Sequence, residues 1–246
     1  MSDFVHLHNH SDYSLLDGAA SLERLVEKAK SFRMKHLALT DHGNMFGVLK
    51  FYQLCKKQGI NPIIGSEFYM SPGSRHIKTG AESGNKYYHL VLLAMNETGY
   101  RNLIKLNSLS YTEGFYYKPR IDQELLERYH EGLICTSACI AGEIPSLIIQ
   151  GNEEEAARRA GFFQDLFGKG NFYLELQDHG IPDQRIANRG ILSIAKRLEL
   201  PTIATNDIHY VDREDAVAQD ILVCIGTGKK KSELKRLHFE AQEFYM

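Results

Sequence analysis

Short apolar runs alternate with longer amphipathic stretches along almost the whole chain, and this constrains the fold more than any other feature. The runs are Phe4–His8, His36–Thr40, Pro62–Gly65, His89–Ala94, Leu133–Thr136, Phe172–Leu176 and Thr202–Ala204. Each is short enough for a β-strand and rich in Val, Ile, Leu, Phe or Tyr. Helix-like segments lie between and after them: Ser21–Phe32, Met45–Gln58, Glu97–Ser110, Glu153–Phe167, Pro182–Leu198 and Arg213–Cys224. Ser21 is placed to cap the first, whose Leu22, Leu25, Val26 and Ala29 form one apolar stripe. Gly59 and Pro62 end the second. Repeated strand–helix alternation implies a parallel sheet with right-handed crossovers. Seven such units in 246 residues crowd an open sheet, so a closed (β/α)7 barrel is expected. Gly73–Asn85 reads as a polar loop, and Gly114–Asp122 as a basic, aromatic one.

Composition narrows the class. A hydrophobic share of 43% with 24% charged residues excludes a disordered tail or a fibre. At about 150 residues per domain the length allows one or two domains. A net charge of −2 argues against a dedicated duplex-DNA binder, though not against an enzyme that handles one strand end. Cys55, Cys135, Cys139 and Cys224 have no framework spacing, so a conspicuous cysteine reads as a metal ligand or a core residue. The N-terminus has no apolar signal core, and no run of about 18 apolar residues occurs. A soluble, cytoplasmic protein without membrane contact is expected.

The histidines are unevenly spread. His6, His8 and His10 alternate in VHLHNH, and on a strand all three would share one face. Either this is a polar strand end with solvated imidazoles, or it is a set of metal ligands. Other positions favour ligation. Asp41-His42 follows one apolar run, Glu67 another, and Asp207 with His209 a third. In parallel α/β barrels, active-site groups collect at the C-terminal ends of the strands. His89 opens its run instead of closing it, which fits that rule poorly. Cys139 follows a strand and reads as a thiolate ligand or a small buried hydrophobe. Asp17 reads as a ligand or as a turn residue before the first helix. Such a mixture of imidazole and carboxylate, with one thiol, suits more than one Zn²⁺, Mn²⁺ or Fe²⁺ ion better than Mg²⁺ or Ca²⁺. A closely spaced metal pair suits phosphoryl chemistry.

The segments HLHNHSDYSLLDG, TDHGNMFG, IIGSEFY, GFYYKPRID, SACIAGEIP, NFYLELQDHGIPDQ and ATNDIHYV resemble the PHP (polymerase and histidinol phosphatase) domain family. More narrowly, they resemble the N-terminal PHP domains of bacterial replicative DNA polymerase III alpha subunits of the DnaE type. The likeness runs from Phe4 to Tyr245. It implies a distorted (β/α)7 TIM-like barrel and a single PHP domain over residues 1–246, without the palm, fingers and thumb of a polymerase. It also implies up to three divalent ions held by His8, His10, Asp17, His42, Glu67, His89, Cys139, Asp207 and His209. His6 and Asp41 fall outside that set and read as supporting residues.

The activity implied is metal-dependent phosphoester hydrolysis: 3′→5′ proofreading on a DNA 3′ end, or phosphatase action on a phosphomonoester. The expected arrangement has Glu67 bridging two ions, with His8, His10 and Asp207 on one and His89 and Cys139 on the other. Asp17, His42 and His209 would hold a third, and a metal-held hydroxide would attack phosphorus. Lys118 and Arg120 are candidate phosphate contacts, and Tyr116 and Tyr117 candidates for stacking a terminal base. The basic run Gly228–Arg236 reads as a DNA-backbone contact or a solvated linker. The expected partners are the DNA 3′ end or phosphomonoester and the remainder of the polymerase alpha chain. A metal-stabilised, non-catalytic scaffold is the alternative. An amidohydrolase-like enzyme is disfavoured, because no lysine stands at a suitable strand end.

Overall fold

The structure, a computed structural model, describes residues 4–78, 87–239 and 242–246. Its elements follow in the order α1 (Leu22–Ser31), β1 (His36–Leu39), α2 (Val48–Gln58), β2 (Asn61–Met70), β3 (Tyr88–Ala94), α3 (Glu97–Thr112), β4 (Arg120–Ile121) and α4 (Gln123–Tyr129). Then come β5 (Leu133–Thr136), α5 (Glu143–Ile149), α6 (Glu153–Phe167), β6 (Phe172–Leu176), α7 (Pro182–Leu198), β7 (Thr202–Ala204), a 3₁₀ turn (Arg213–Asp215) and α8 (Ala216–Thr227).

Local chemistry sets several of these boundaries. The Ser21 hydroxyl accepts a hydrogen bond from the Arg24 N–H, and the Leu22, Leu25, Val26 and Ala29 stripe is buried. Helix α2 stops at Gly59, which takes the left-handed conformation at φ 73°. Asn96 caps α3 and Asp122 caps α4. Pro182 opens α7, where its missing N–H costs nothing.

The strands form one curled seven-stranded sheet in the order β1-β2-β3-β5-β6-β7, with β4 beside β2. The sheet is mixed, which corrects the expectation of a parallel one: β3 runs antiparallel to both β2 and β5. The Phe4–His8 run is not a regular strand either. It is held by bridges instead. The Ala38 N–H donates to the His6 carbonyl at 3.1 Å, and the His10 N–H donates to the Ile208 carbonyl at 2.7 Å. The buried Asn9 amide donates to the His6 and Ala38 carbonyls at 2.9 and 2.8 Å, replacing ladder bonds. Residues 6–10 thereby link β1 to the segment after β7 and close the barrel. The polar loop expected at Gly73–Asn85 is described only to Lys78, and the rest of it lies outside the described residues.

Two clusters outside the sheet anchor the helices, one around Phe68, Leu92, Phe163 and Phe172, the other around Leu37, Leu39 and Phe51. The inward face is different. Ala38, Val91, Leu93 and Ala138 form a small apolar plug inside the barrel. Strand alternation also turns Glu67 on β2 inward, because Phe68 and Met70 join the outer core. Polar side chains therefore collect above the plug. Among the described residues, no helix is long and apolar enough to cross a membrane.

Candidate metal centre

The inward carboxylate of Glu67 is surrounded by imidazoles. Its Oε1 lies 3.0 Å from His89 Nδ1 and 3.3 Å from His8 Nε2. Its Oε2 meets His42 Nδ1 and lies 3.9 Å from His10 Nε2. Asp207 Oδ1 lies 3.3 Å from His8 Nε2 and 3.2 Å from His10 Nε2. Asp17 approaches His42 Nε2 at 3.4 Å and His209 Nε2 at 4.0 Å. Cys139 Sγ is 3.7 Å from His89 Nδ1. Among the described residues, three groups have their ligand atoms close enough to share a metal ion: His8 with His10 and Asp207, His10 with His42 and His209, and His42 with Glu67 and His89.

The antiparallel course of β3 resolves the position of His89. Where a strand is reversed, its N-terminal end lies beside the C-terminal ends of the others, so opening the run is the position that reaches the site. Two ligand candidates lie on or directly after left-handed backbone. Asp207 has φ 45°, and Ala138, just before Cys139, has φ 58°. Left-handed conformations at non-glycine residues cost about 1–3 kcal/mol and gather at functional sites.

The surroundings orient the imidazoles. His8 Nδ1 meets the Glu175 carboxylate at 2.7 Å, His10 Nδ1 meets the Ser14 hydroxyl at 3.2 Å, and His209 Nδ1 meets the Asp207 carbonyl at 2.8 Å. The Ser14 hydroxyl donates to Asp41 at 2.8 Å, so its lone pairs are left to accept from the His10 Nδ1–H and the His42 N–H. With Nδ1 protonated in each of the three, the Nε2 lone pairs face the interior. Asp41 accepts from the Ser11 N–H at 2.6 Å and from both serine hydroxyls, pinning the loop that carries Asp17. Its carboxyl is raised by burial, against which the serine donors act.

Glu175 was not visible as a functional residue in the sequence. Its buried carboxylate also accepts from Thr136, Thr205 and Gln177. The available signal was an acid at an alternate position of an otherwise apolar strand, FYLEL. His6 lies apart, its ring 4.8 Å from that of Phe4. Burial lowers its pKa to about 4.

The residues present fit divalent cations. His8 Nε2, His10 Nε2, Asp17 Oδ1, His42 Nδ1, both Glu67 oxygens and Asp207 Oδ1 are buried without a hydrogen-bond partner. Buried polar atoms that crowd together without satisfying one another are costly, and divalent cations shared among them would satisfy them. The titration behaviour expresses the same crowding. Burial opposes charge on His8, but the Asp207 and Glu175 carboxylates outweigh it and raise its pKa. Burial and the neighbouring His42 and His209 lower His10 to about 3. Burial pushes the Cys139 thiol up, reinforced by Asp207 and Glu67.

The loop residues divide. Lys118 is half-buried beside the site, its ammonium 5.2 Å from the Tyr69 ring centroid. Burial lowers its pKa, with Asp17 opposing. Arg120 does not offer itself to a phosphate. It is 3% exposed, and its guanidinium donates to the carbonyls of Gly114, Arg75 and Ile77. Tyr116 packs under that guanidinium at 5.1 Å, whereas Tyr117 is exposed. In the basic run, Arg236 pairs with Asp220 at 2.5 Å and Lys229 with Glu233 at 3.1 Å.

The chain matches the PHP domain family over residues 6–179, and it belongs to that family. Among curated relatives, it is 57% identical over 245 residues to the DNA polymerase III subunit alpha of Borreliella burgdorferi, covering 100% of this chain and 21% of the relative. With the same subunit of Treponema pallidum it shares 53% identity over 243 residues, covering 99% and 21%. The chain thus spans about a fifth of the length of these relatives. Among solved structures, an amidohydrolase from Chromobacterium violaceum superposes with a TM-score of 0.52 at 16% identity, covering 85% of this chain and 88% of that one. A two-domain protein from Bacteroides vulgatus, described as containing a predicted PHP-like metal-dependent phosphoesterase, gives 0.50 at 15%, covering 84% and 52%. At such identities these likenesses concern the fold.

Proposed function

We propose that this chain is a metal-dependent phosphoesterase acting on a DNA 3′ end as a 3′→5′ proofreading exonuclease, with small phosphomonoesters as simpler substrates. The observation that carries this reading is the set of buried ligand atoms converging on Glu67, paired by charge yet lacking hydrogen bonds. His8, His10 and Asp207 would hold one ion, His89 and Cys139 another, with Glu67 between them. Asp17, His42 and His209 would hold a third. The donor set suits zinc, manganese or iron. When bound, such ions lower the pKa of water toward neutrality and neutralise charge on phosphoryl oxygens.

The chain's own residues supply the rest. Glu175, Ser14 and the Asp207 carbonyl hold His8, His10 and His209 in the tautomer that presents Nε2. The Lys118 ammonium, which lines the same cleft as His42, donates to a non-bridging phosphate oxygen and fixes the scissile group over the site. Relatives carry this stretch within much longer polymerase alpha chains. The remainder of such a chain is therefore the proposed partner, and residues 1–246 the proposed single PHP domain.

The test measures metal content together with hydrolysis of a 3′-labelled oligonucleotide and a small phosphomonoester, for wild type and Asp207→Ala. Activity of at least one kind that falls 10²-fold or more in the variant supports the enzyme, provided a thermal melt shows the variant folded. A metal-loaded wild type that hydrolyses neither substrate leaves the scaffold reading.

A further inference from the structure

The metal centre opens beside His42 into a cleft of about 220 Å³ whose walls are unusually aromatic. Phe46, Tyr111, Phe115 and Tyr117 line it and are 61%, 40%, 49% and 64% exposed. Tyr111 forms the middle of a fan, its ring centroid 6.2 Å from those of both Phe46 and Phe115. The buried Tyr69 lines the cleft as well, stacked 6.2 Å from the His42 ring. An exposed apolar patch of this kind, set around a concavity, marks a binding surface.

The charge is as informative as the rings. Lys118 is the one lysine or arginine among the described lining residues, and none of them is acidic. His42 lines the cleft and also belongs to two of the three ligand groups. Flat π faces, one ammonium and a neighbouring cation-holding cluster are complementary to a planar base attached to a phosphodiester. A small phosphomonoester would engage Lys118 and the metal centre and leave the rings idle.

We propose that this cleft is the subsite for the 3′-terminal nucleotide of a single strand: the base stacks among Tyr111, Phe115 and their neighbours while its phosphate lies between Lys118 and the ligand cluster. The proposal rests on the phosphoesterase reading and adds to it a recognition element for the unpaired end. Stacking of this kind tolerates any base, as an end-trimming enzyme requires.

The experiment uses the 246-residue chain with Mn²⁺ and two single-stranded oligonucleotides of one sequence, ending in a normal or an abasic 3′ nucleotide. Wild type is expected to cleave the base-bearing end with a kcat/KM about tenfold higher or more. The double variant Tyr111→Ala, Phe115→Ala is expected to reduce that preference to about twofold or less. A second readout needs no turnover. With Ca²⁺ in place of Mn²⁺, the fluorescence of a 3′-terminal 2-aminopurine should be quenched on binding wild type and recover with the double variant. Equal cleavage of both ends by wild type, or a preference the double variant retains, overturns the subsite while leaving the hydrolase intact. If wild type cleaves neither end, the hydrolase reading has failed, and the quenching comparison alone then supports or overturns the subsite.

Discussion

Glu175 gathers four donors on one buried carboxylate: His8, Gln177 and the hydroxyls of Thr136 and Thr205. An amide at this position would turn an NH₂ group toward donors. Glu175→Gln should therefore weaken metal binding about 10–100-fold although Glu175 is not a ligand, measured by titration against a competing chelator. Unchanged affinity would show that His8 needs no such orientation. His6 carries a separate, pH-linked effect. Its folded pKa, about 4, lies below the unfolded value of 6.5, so the unfolded chain binds more protons between them. Its contribution is complete above about pH 6.5 and is lost as pH falls toward 4, by up to roughly 3 kcal/mol. Denaturant melts at pH 7 and pH 4 should show a smaller pH effect in His6→Leu than in wild type; equal effects would contradict the assignment. At this scale the sequence was informative where chemistry is concentrated in short motifs. His8, His10, His42 and Glu67 stand beside apolar runs and could be read as ligand candidates. Glu175 could not, because its function depends on which face of β6 turns inward. Arg120 was misleading for the opposite reason. It stands in a basic loop, yet the backbone carbonyls of Arg75 and Ile77, 45 and 43 residues earlier in the chain, occupy its guanidinium.

Strands and helices were legible in proportion to their length and to the burial they achieve locally. Helices α6 and α7 and strands β5 to β7 fall where the apolar periodicity places them. Helices α4 and α5, of 7 residues each, are too short to show a stripe, and two-residue β4 is defined only by its pairing with β2. The reversal of β3 is invisible to periodicity, since an apolar strand reads alike in either direction, and it alone makes sense of His89. Close packing between elements gives a further prediction. A Cβ on Gly99, in the first turn of α3, would lie 1.8 Å from the Gly132 carbonyl oxygen. Gly→Ala in a helix ordinarily stabilises by about 1 kcal/mol. Here Gly99→Ala should instead destabilise, by about 2 kcal/mol or more, and a melt showing a gain would contradict the packing.

For the whole molecule, the proposed metal binding would make folding and ion uptake one equilibrium. The proposed ligands come from residues 8 to 209, and the two ends of the sheet meet where residues 6–10 join Ile208. Much of the barrel's closure is thus made by the segments that carry the ligands. Removing the ions leaves carboxylates and imidazoles confined together, so a chelator should lower the melting temperature by on the order of 10 °C. Readdition of Zn²⁺ or Mn²⁺ should restore it. A melting temperature indifferent to chelation would separate the cluster from the fold. The most direct test of the convergence itself is anomalous diffraction from crystals soaked in Mn²⁺ or Zn²⁺. The account predicts anomalous peaks within bonding distance of Glu67, with His8, His10 and Asp207 on one side and His89 and Cys139 on the other. A metal-soaked crystal with no peak between these side chains would contradict it.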